Sequence, residues 1–122
     1  MEGEVVLTSI PQANGVVKNR PAILLRELPQ YRDFLACGVS TQLHQCVPEF
    51  DEIISTSDAD FRGSGLLHDS LIRLGFLALL PRPNIIGTIG SISAERHQRL
   101  LKTLVHYLIQ DLQKRSDEKT KE

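Results

Sequence analysis

Apolar residues occur in this sequence as short runs separated by turn-forming residues, and this spacing restricts the fold more than any other feature. Most runs are too short for a typical helix, and several are rich in β-branched residues, as strands are. Turn clusters such as residues 11–15, PQANG, separate them. We therefore predict strands over residues 4–10, 21–25, 34–43, 50–54 and 68–80, with a bend in the longest at Gly75.

One segment near the end of the chain has helical periodicity. Ser93 is a favourable N-cap, and Glu95 falls in the first turn, where a negative charge is stabilised by the helix dipole. Apolar residues then recur at spacings of three and four: Leu100, Leu101, Leu104, Val105, Leu108, Ile109 and Leu112. We expect this stripe to pack on the outside of the sheet. The predicted fold is mainly β with α: a small, strongly bent antiparallel sheet or barrel with one C-terminal helix.

The rest of the chain suggests a single domain. Residues 55–65 predict a polar loop, and residues 81–93 a connection interrupted by proline and glycine. No apolar residue occurs from Lys114 onward, so residues 114–122 are expected to form a disordered polar tail. The predicted domain therefore covers residues 1–113.

Composition excludes several classes of protein. The 122 residues carry a net charge of -1, so nucleic-acid binding would need a local basic patch. No stretch is long and apolar enough for a membrane span, and the acidic N-terminus is unlike a signal peptide. We therefore expect a cytoplasmic protein, in which the two cysteines would stay reduced.

Arg20 is a fixed cation placed immediately before a proline-initiated core strand, in the stretch KNRPAILL. Such a residue lies at the rim of a sheet, and its rigid fork of donors suits phosphate oxygens. The alternative is an arginine that forms a surface ion pair at the rim.

Ser40, Thr41 and Gln42 end an apolar strand and place two hydroxyls and an amide at one edge. Hydroxyls can donate to a phosphate in a transition state. They are also common at strand ends and turns, so a structural role is the alternative.

His68, Asp69, Ser70 and Arg73 form a second polar group, in LLHDSLIRLG. Strand alternation places Asp69 and Arg73 on one face and His68 and Ser70 on the other, which argues against a Ser-His-Asp triad. Arg73 must reach a rim or a partner, because a buried unpaired guanidinium is very costly.

Metal binding is not favoured. Cys37, His44 and Cys46 do not have the spacing of a zinc site. His97 and His106 lie on the predicted helix and are expected to be structural.

Taken together, these stretches resemble the MazF/PemK family of type II toxin-antitoxin endoribonucleases. The resemblance runs from about residue 3 to residue 109. It is carried by GEVVLTSIP, KNRPAILL, GVSTQL, GLLHDSLIRLGFLALL and IGTIGSIS followed by the helix. It implies an SH3-like β-barrel with an appended helix, working as a homodimer and inhibited by an antitoxin whose extended tail occupies the RNA groove.

The resemblance also implies a reaction. Single-stranded RNA would be cleaved without a metal or other cofactor, the 2'-hydroxyl attacking the adjacent phosphate to give a 2',3'-cyclic phosphate and a 5'-hydroxyl. The catalytic residues carried over are Arg20, Ser40 and Thr41, with Arg20 as general acid or charge stabiliser. The expected RNA-binding residues are Lys18, Asn19, Gln42, His68, Asp69 and Arg73.

One departure from the family concerns Gly75. Members that use an arginine at the position of Arg73 carry an acidic residue two positions later, where this chain has Gly75. The general base is therefore open, with His68 and Asp69 as candidates. A catalytically silent module that binds protein or nucleic acid is the main alternative, and a DNA-binding regulator is a weaker one because no recognition helix is evident.

The dimer interface is expected near the segments GVSTQL and SLIRLGF. RNA in the family lies across a two-fold interface, so an isologous dimer would place these strands close to the substrate.

Overall fold

A computed structural model of the chain describes residues 1–11, 15 and 17–110. They form one antiparallel sheet of six strands, ordered β4-β5-β3-β2-β1-β6, and one long helix. The strands are β1 (Glu4–Pro11), β2 (Val17–Glu27), β3 (Phe34–Ser40), β4 (Glu52–Ile54), β5 (Ser70–Leu80) and β6 (Ile85–Ser91). The predicted mainly β fold with a C-terminal helix is confirmed. The predicted tail, residues 114–122, lies outside the described residues.

β2 is the central strand that the apolar run predicted. Its first four residues are exposed and its middle is buried, with Ile23, Leu24 and Leu25 at most 1% exposed. Pro21 lies opposite Leu7 of β1. The polar residues before the proline therefore extend β2 past the core to the rim of the sheet, with Arg20 at the boundary.

β5 is a single strand with the irregularity expected near Gly75. Cys37 of β3 pairs with Leu77, but the next residue, Gly38, pairs with Arg73, so residues 74–76 bulge out of the ladder. The N–H of Leu74 donates to Asp51 Oδ1 at 3.0 Å, which satisfies one backbone group inside the bulge.

The structure corrects the end of one predicted strand and adds two elements that were not predicted. β3 ends at Ser40, and a 3₁₀ turn begins at Leu43, so the strand is shorter than predicted. The segment predicted as a connection after β5 contains β6, an edge strand whose glycines hid its pattern. The predicted polar loop contains a one-turn helix, α1 (Phe61–Ser64), which is too short to show periodicity.

α1 links the two ends of the open, barrel-like sheet. No backbone pairing joins the two end strands, β4 and β6, within the described ranges. Instead α1, which follows β4 in the chain, contacts β6. The approach requires glycine, since a Cβ on Gly90 would lie 2.2 Å from Gly63 O and one on Gly65 would lie 2.1 Å from Ile89 O.

The long helix, α2 (Ala94–Ile109), begins as predicted and is buried only as far as Leu104. Ser93 caps it by accepting a hydrogen bond from the Arg96 N–H at 3.1 Å. Leu100 and Leu104 are buried, but Leu108 is 63% exposed, and Val105 and Ile109 are exposed as well. The expectation that the whole stripe packs on the sheet is therefore wrong for Val105, Leu108 and Ile109, while Leu112 lies outside the described residues. Neither described α-helix has the length and apolarity to cross a membrane.

Two apolar clusters lie on opposite sides of the sheet. The larger contains residues from five strands and the two buried leucines of α2, Leu100 and Leu104. The smaller contains Val6, Ala22, Leu24, Phe34, Ala36 and Leu80. Alternation along β2 divides its residues between them, with Ile23 and Leu25 in the first and Ala22 and Leu24 in the second.

Candidate functional site

An open cavity of about 520 Å³ lies where β2 and β3 run past the core at one rim of the sheet. Arg20, Ser40 and Thr41 all line it, although they come from two strands and the turn after one of them. The full lining is Leu7, Lys18, Asn19, Arg20, Pro21, Val39, Ser40, Thr41, Gly65, Leu66, Leu67, His68, Ser70 and Ile89. We call this the rim cavity.

Strand register explains why Arg20 and Ser40 line the same cavity. Ala22 of β2 pairs with Gly38 of β3. Arg20 is two residues before Ala22, and Ser40 is two residues after Gly38. Because the strands are antiparallel and side chains alternate, both residues lie beyond the same pair and on the same side of the sheet.

Ser40 also shapes the turn that follows it. Its Oγ accepts a hydrogen bond from the Gln42 N–H at 3.0 Å, and the Thr41 carbonyl accepts one from the Leu43 N–H at 3.0 Å. The structural role that the sequence left open is therefore real, but it uses only an oxygen lone pair of Ser40, and the hydroxyl proton can still be donated. Gln42 is exposed and does not line the cavity.

The lining of the rim cavity is basic. Lys18 and Arg20 supply two fixed positive charges, His68 lines the cavity beside them, and no Asp or Glu is among the described lining residues. Asp69 is directed elsewhere, since its Oδ1 accepts a hydrogen bond from the Thr56 N–H at 2.7 Å. This is the local basic patch that a chain of net charge -1 needs in order to bind a polyanion.

The opposite wall of the rim cavity was anticipated from the sequence only at His68. It is formed by residues 65–68, and Leu67 is 84% exposed. Gly65, with φ of 75°, turns the chain at the end of α1 and allows this segment to contact Ile89. Gly65 in a polar loop was the signal available, but a glycine alone does not reveal which strand the loop will reach.

Arg73 lies near the rim cavity but does not line it. It pairs with Gly38 across β3 and β5, and its guanidinium carbon is 5.6 Å from the centre of the Phe76 ring. This is cation–π distance, so the aromatic face stabilises a cation that strand alternation had predicted to need a partner.

Gly75 faces a different part of the molecule. A Cβ at this position would lie 3.3 Å from Cε2 of Phe50, whose ring also packs at 5.0 Å from the ring of Tyr107 on α2. Gly75, Phe50 and Tyr107 line a separate cavity, on the α2 side. Gly75 stands where part of the resembled family has an acidic residue. Here this position packs against the Phe50 ring, and it lines a different cavity from Arg20.

The thiols have no metal-binding arrangement in the part of the chain that the structure describes. Cys37 is 1% exposed, and burial raises the pKa of its thiol to about 12, which disfavours the thiolate that binds metals. No group of three or more His, Cys, Asp or Glu side chains there could hold a metal ion. Of the helix histidines, His97 Nε2 lies 2.7 Å from the Leu25 carbonyl oxygen, a structural contact, and His106 is exposed.

Comparison with known proteins places the fold. No protein-family model and no curated protein sequence matches the chain. Among solved structures, the chain is similar to the Mycobacterium tuberculosis toxin MazF-mt6, with a TM-score of 0.62 and 15% identity over 83% of this chain and 91% of that one. It is also similar to an endoribonuclease in complex with its cognate antitoxin from a mycobacterial species, with a TM-score of 0.65 and 12% identity over 88% and 93%. The chain therefore has the fold of the MazF toxins.

Proposed function

We propose that the protein is the toxin of a type II toxin-antitoxin system, a metal-independent endoribonuclease that cleaves single-stranded RNA in the cytoplasm. The observation that carries the proposal is the meeting of Arg20, Ser40 and Thr41 in one cationic cavity. The fold supports it, since the similar structures are a toxin and an endoribonuclease bound to its antitoxin.

The proposed reaction is an internal phosphoryl transfer. The ribose 2'-oxygen forms a bond to phosphorus, and the bond from phosphorus to the 5'-oxygen of the next nucleotide breaks. The 2'-hydroxyl proton passes to a general base, and the departing oxygen is protonated. The products carry a 2',3'-cyclic phosphate and a 5'-hydroxyl.

Arg20 has the central role in this proposal, as charge stabiliser or general acid. Its guanidinium neutralises the negative charge that develops on the phosphate oxygens, and the Ser40 and Thr41 hydroxyls donate to the same group. His68 is preferred to Asp69 as the base, because His68 lines the rim cavity and Asp69 is engaged by the Thr56 N–H. Lys18, Asn19, Gln42 and Arg73 are proposed to bind the RNA.

The proposed assembly is a homodimer inhibited by an antitoxin. Within the expected interface segment, residues 70–74 are largely buried in the protomer, and exposure begins at Gly75. Phe76, Leu77 and Leu79 are between 39% and 57% exposed. An exposed apolar strand of this kind is typical of a surface that meets another chain.

A silent binding module remains the second candidate, and Arg20→Ala separates the two. If Arg20 stabilises the transition state, this variant should lose at least about 100-fold in cleavage of single-stranded RNA. Arg26→Ala is the matched control, because Arg26 lies on the same strand, is exposed and contacts Glu2 instead of the rim cavity. The Arg26 variant should cut normally.

Two further conditions define the reaction. Cleavage should persist in EDTA, and a substrate that is 2'-deoxy at the scissile position should resist. A wild-type protein that leaves single-stranded RNA uncut and does not slow growth when expressed alone would favour the silent module.

A further inference from the structure

Two side chains next to His68 make hydrogen bonds to the backbone. Asp69 Oδ1 accepts a hydrogen bond from the Thr56 N–H at 2.7 Å. Ser70, which is 3% exposed, donates from its hydroxyl to the His68 carbonyl at 2.7 Å. Both bonds hold the backbone at the place where His68 meets the rim cavity.

The Asp69 bond lies just beyond the end of the β4–β5 ladder. Ile54, the last residue of β4, pairs with Ser70, and continuing this register by two residues would place Thr56 opposite His68. The Asp69 carboxylate takes the Thr56 N–H instead, as side chains do where they compete with a backbone ladder. His68 is therefore left outside the sheet, with an exposed side chain.

The wall of the rim cavity that carries His68 has a second anchor at its other end. Gly65 approaches Ile89 so closely that a Cβ would lie 2.1 Å from Ile89 O, and Leu66 packs against the core. The next two residues have no comparable support, since Leu67 is 84% exposed and His68 is exposed. Segments with few buried contacts open most easily, so the placement of His68 depends on the bonds that follow it in the chain.

We propose that Asp69 is a positioning residue for the reaction: through its bond to Thr56 it holds the His68 imidazole where it accepts the 2'-hydroxyl proton. This inference rests on the proposed function and adds to it a residue that acts without touching the substrate. A general base works only within hydrogen-bond reach of its proton, and a misplacement of about 1 Å can cost on the order of 100-fold in rate. Ser70 supports the same placement through the His68 carbonyl.

Thr56→Pro tests this bond from its donor side. Thr56 is the second residue of a turn closed by a hydrogen bond from the Asp58 N–H to the Ser55 carbonyl at 2.9 Å, a position that favours proline. The substitution therefore removes the N–H and leaves the Asp69 carboxylate in place. Thr56→Ala is the matched control, because it removes the Thr56 side chain but keeps the N–H, and it should cut normally.

The expected effect is on kcat. In cleavage of single-stranded RNA, Thr56→Pro and Asp69→Ala should each lower kcat about 10- to 100-fold and leave KM within about two-fold of the wild type. Asp69→Asn keeps an oxygen that accepts from the Thr56 N–H and should retain most of the wild-type kcat. In a His68→Ala background, Thr56→Pro should cause no further loss, because Asp69 acts through His68.

A second measurement follows His68 without any reaction. In proton–carbon NMR spectra, the ring signals of His68 should shift or broaden in Thr56→Pro and Asp69→Ala. The ring signals of His97 are the internal control, because His97 Nε2 lies 2.7 Å from the Leu25 carbonyl oxygen, and they should stay unchanged.

Each result decides between the inference and the proposed function. If the wild type cuts RNA and Thr56→Pro leaves kcat and the His68 signals unchanged, the inference fails and the function stands. If Asp69→Asn loses as much activity as Asp69→Ala while Thr56→Pro cuts normally, Asp69 acts on the substrate itself and the positioning role is overturned. If RNA is never cut but the His68 signals depend on the bond from Thr56 to Asp69, the placement of His68 stands and the function fails; without that dependence both fail.

Discussion

Arg20 and Arg96 show how the surroundings of a guanidinium determine what it does. Arg96 is 6% exposed and donates to Asp58, Asp60 and Glu52, so its charge is neutralised by ion pairs that stabilise the fold. Arg20 is exposed, and no ion pair between it and a carboxylate occurs among the described residues. The surface ion pair considered from the sequence therefore finds no support, and the Arg20 charge is available to a ligand.

The Arg96 cluster is expected to be the main electrostatic contribution to stability. It ties the start of α2 to β4 and to the segment before α1, so loss of the guanidinium leaves Asp58 and Asp60 without their cationic partner and Glu52 with Arg99 alone. Arg96→Ala should lower the free energy of unfolding by about 3 kcal/mol in urea titrations. Arg99→Ala is the control, because Arg99 also pairs with Glu52 but is 55% exposed, and it should cost less than about 1 kcal/mol. Equal effects of the two variants would contradict this.

Asp60 makes the stability of the protein depend on acidity. Hydrogen bonds from Arg96 hold the pKa of its carboxyl at about 2, below the ordinary 3.8. The stabilisation is therefore complete above the unfolded pKa and is lost as the pH falls from about 4 toward 2. The loss should be on the order of 1–2 kcal/mol, measured as urea midpoints across this range. Asp60→Asn should be less stable at neutral pH and show a flatter acid dependence, and an unchanged dependence would refute the assignment.

At the scale of single residues, the sequence identified the rim cavity better than it identified the ion-pair cluster. Arg20 stood out because the fold itself does not need a positive charge immediately before a proline that begins a buried strand. Arg96 looked like an ordinary helix arginine, since its three acidic partners come from segments 36 to 44 residues away. Contacts over such separations cannot be read from local pattern.

Strands and helices were predictable where burial gives the sequence a regular apolar spacing. They were not predictable where glycines allow two segments of backbone to approach each other closely. β1, β2, β5 and the start of α2 follow from apolar pattern and capping. β6 and α1 were missed because glycines at positions 63, 65, 87 and 90 weaken any strand or helix signal, while at 65 and 90 they allow α1 to contact β6. This contact joins the segment after β4 to β6, so the sequence predicted the barrel-like shape without the contact that links its two ends.

The bulge in β5 leads to a prediction about Gly75. An aspartate there would place its Cβ 3.3 Å from the Phe50 ring and disturb the Phe50–Tyr107 packing. Gly75→Asp should therefore lower stability by about 1 kcal/mol and leave RNA cleavage no faster than in the wild type. Gly87→Asp is the control, since a Cβ at Gly87 meets nothing within 4 Å. Faster cleavage by Gly75→Asp would show that position 75 takes part in the reaction.

On the scale of the whole molecule, the second half of β5 forms an exposed apolar edge, which is unfavourable in a monomer in water. β4 pairs with β5 only over Ser70–Ile72, so the edge beyond the bulge has no partner strand among the described residues. The residues there are apolar, and the first charged side chain after them is Arg82, which pairs with Glu27. A free apolar edge normally carries charges or a covering loop, because it otherwise pairs with another chain.

The last prediction is that this edge holds two copies of the chain together. Pairing across a two-fold axis would bury Leu77 and Leu79 of both protomers. Light scattering at micromolar concentration should give twice the 13.7 kDa of one chain. Leu79→Glu should give a folded monomer, because a buried like-charge pair at the axis is strongly unfavourable. Tyr31→Glu places the same charge at an even more exposed position outside the edge, since Tyr31 is 80% exposed, and this variant should remain a dimer. A wild-type mass of one chain, or a Leu79→Glu protein that still dimerises, would place the interface elsewhere or remove it.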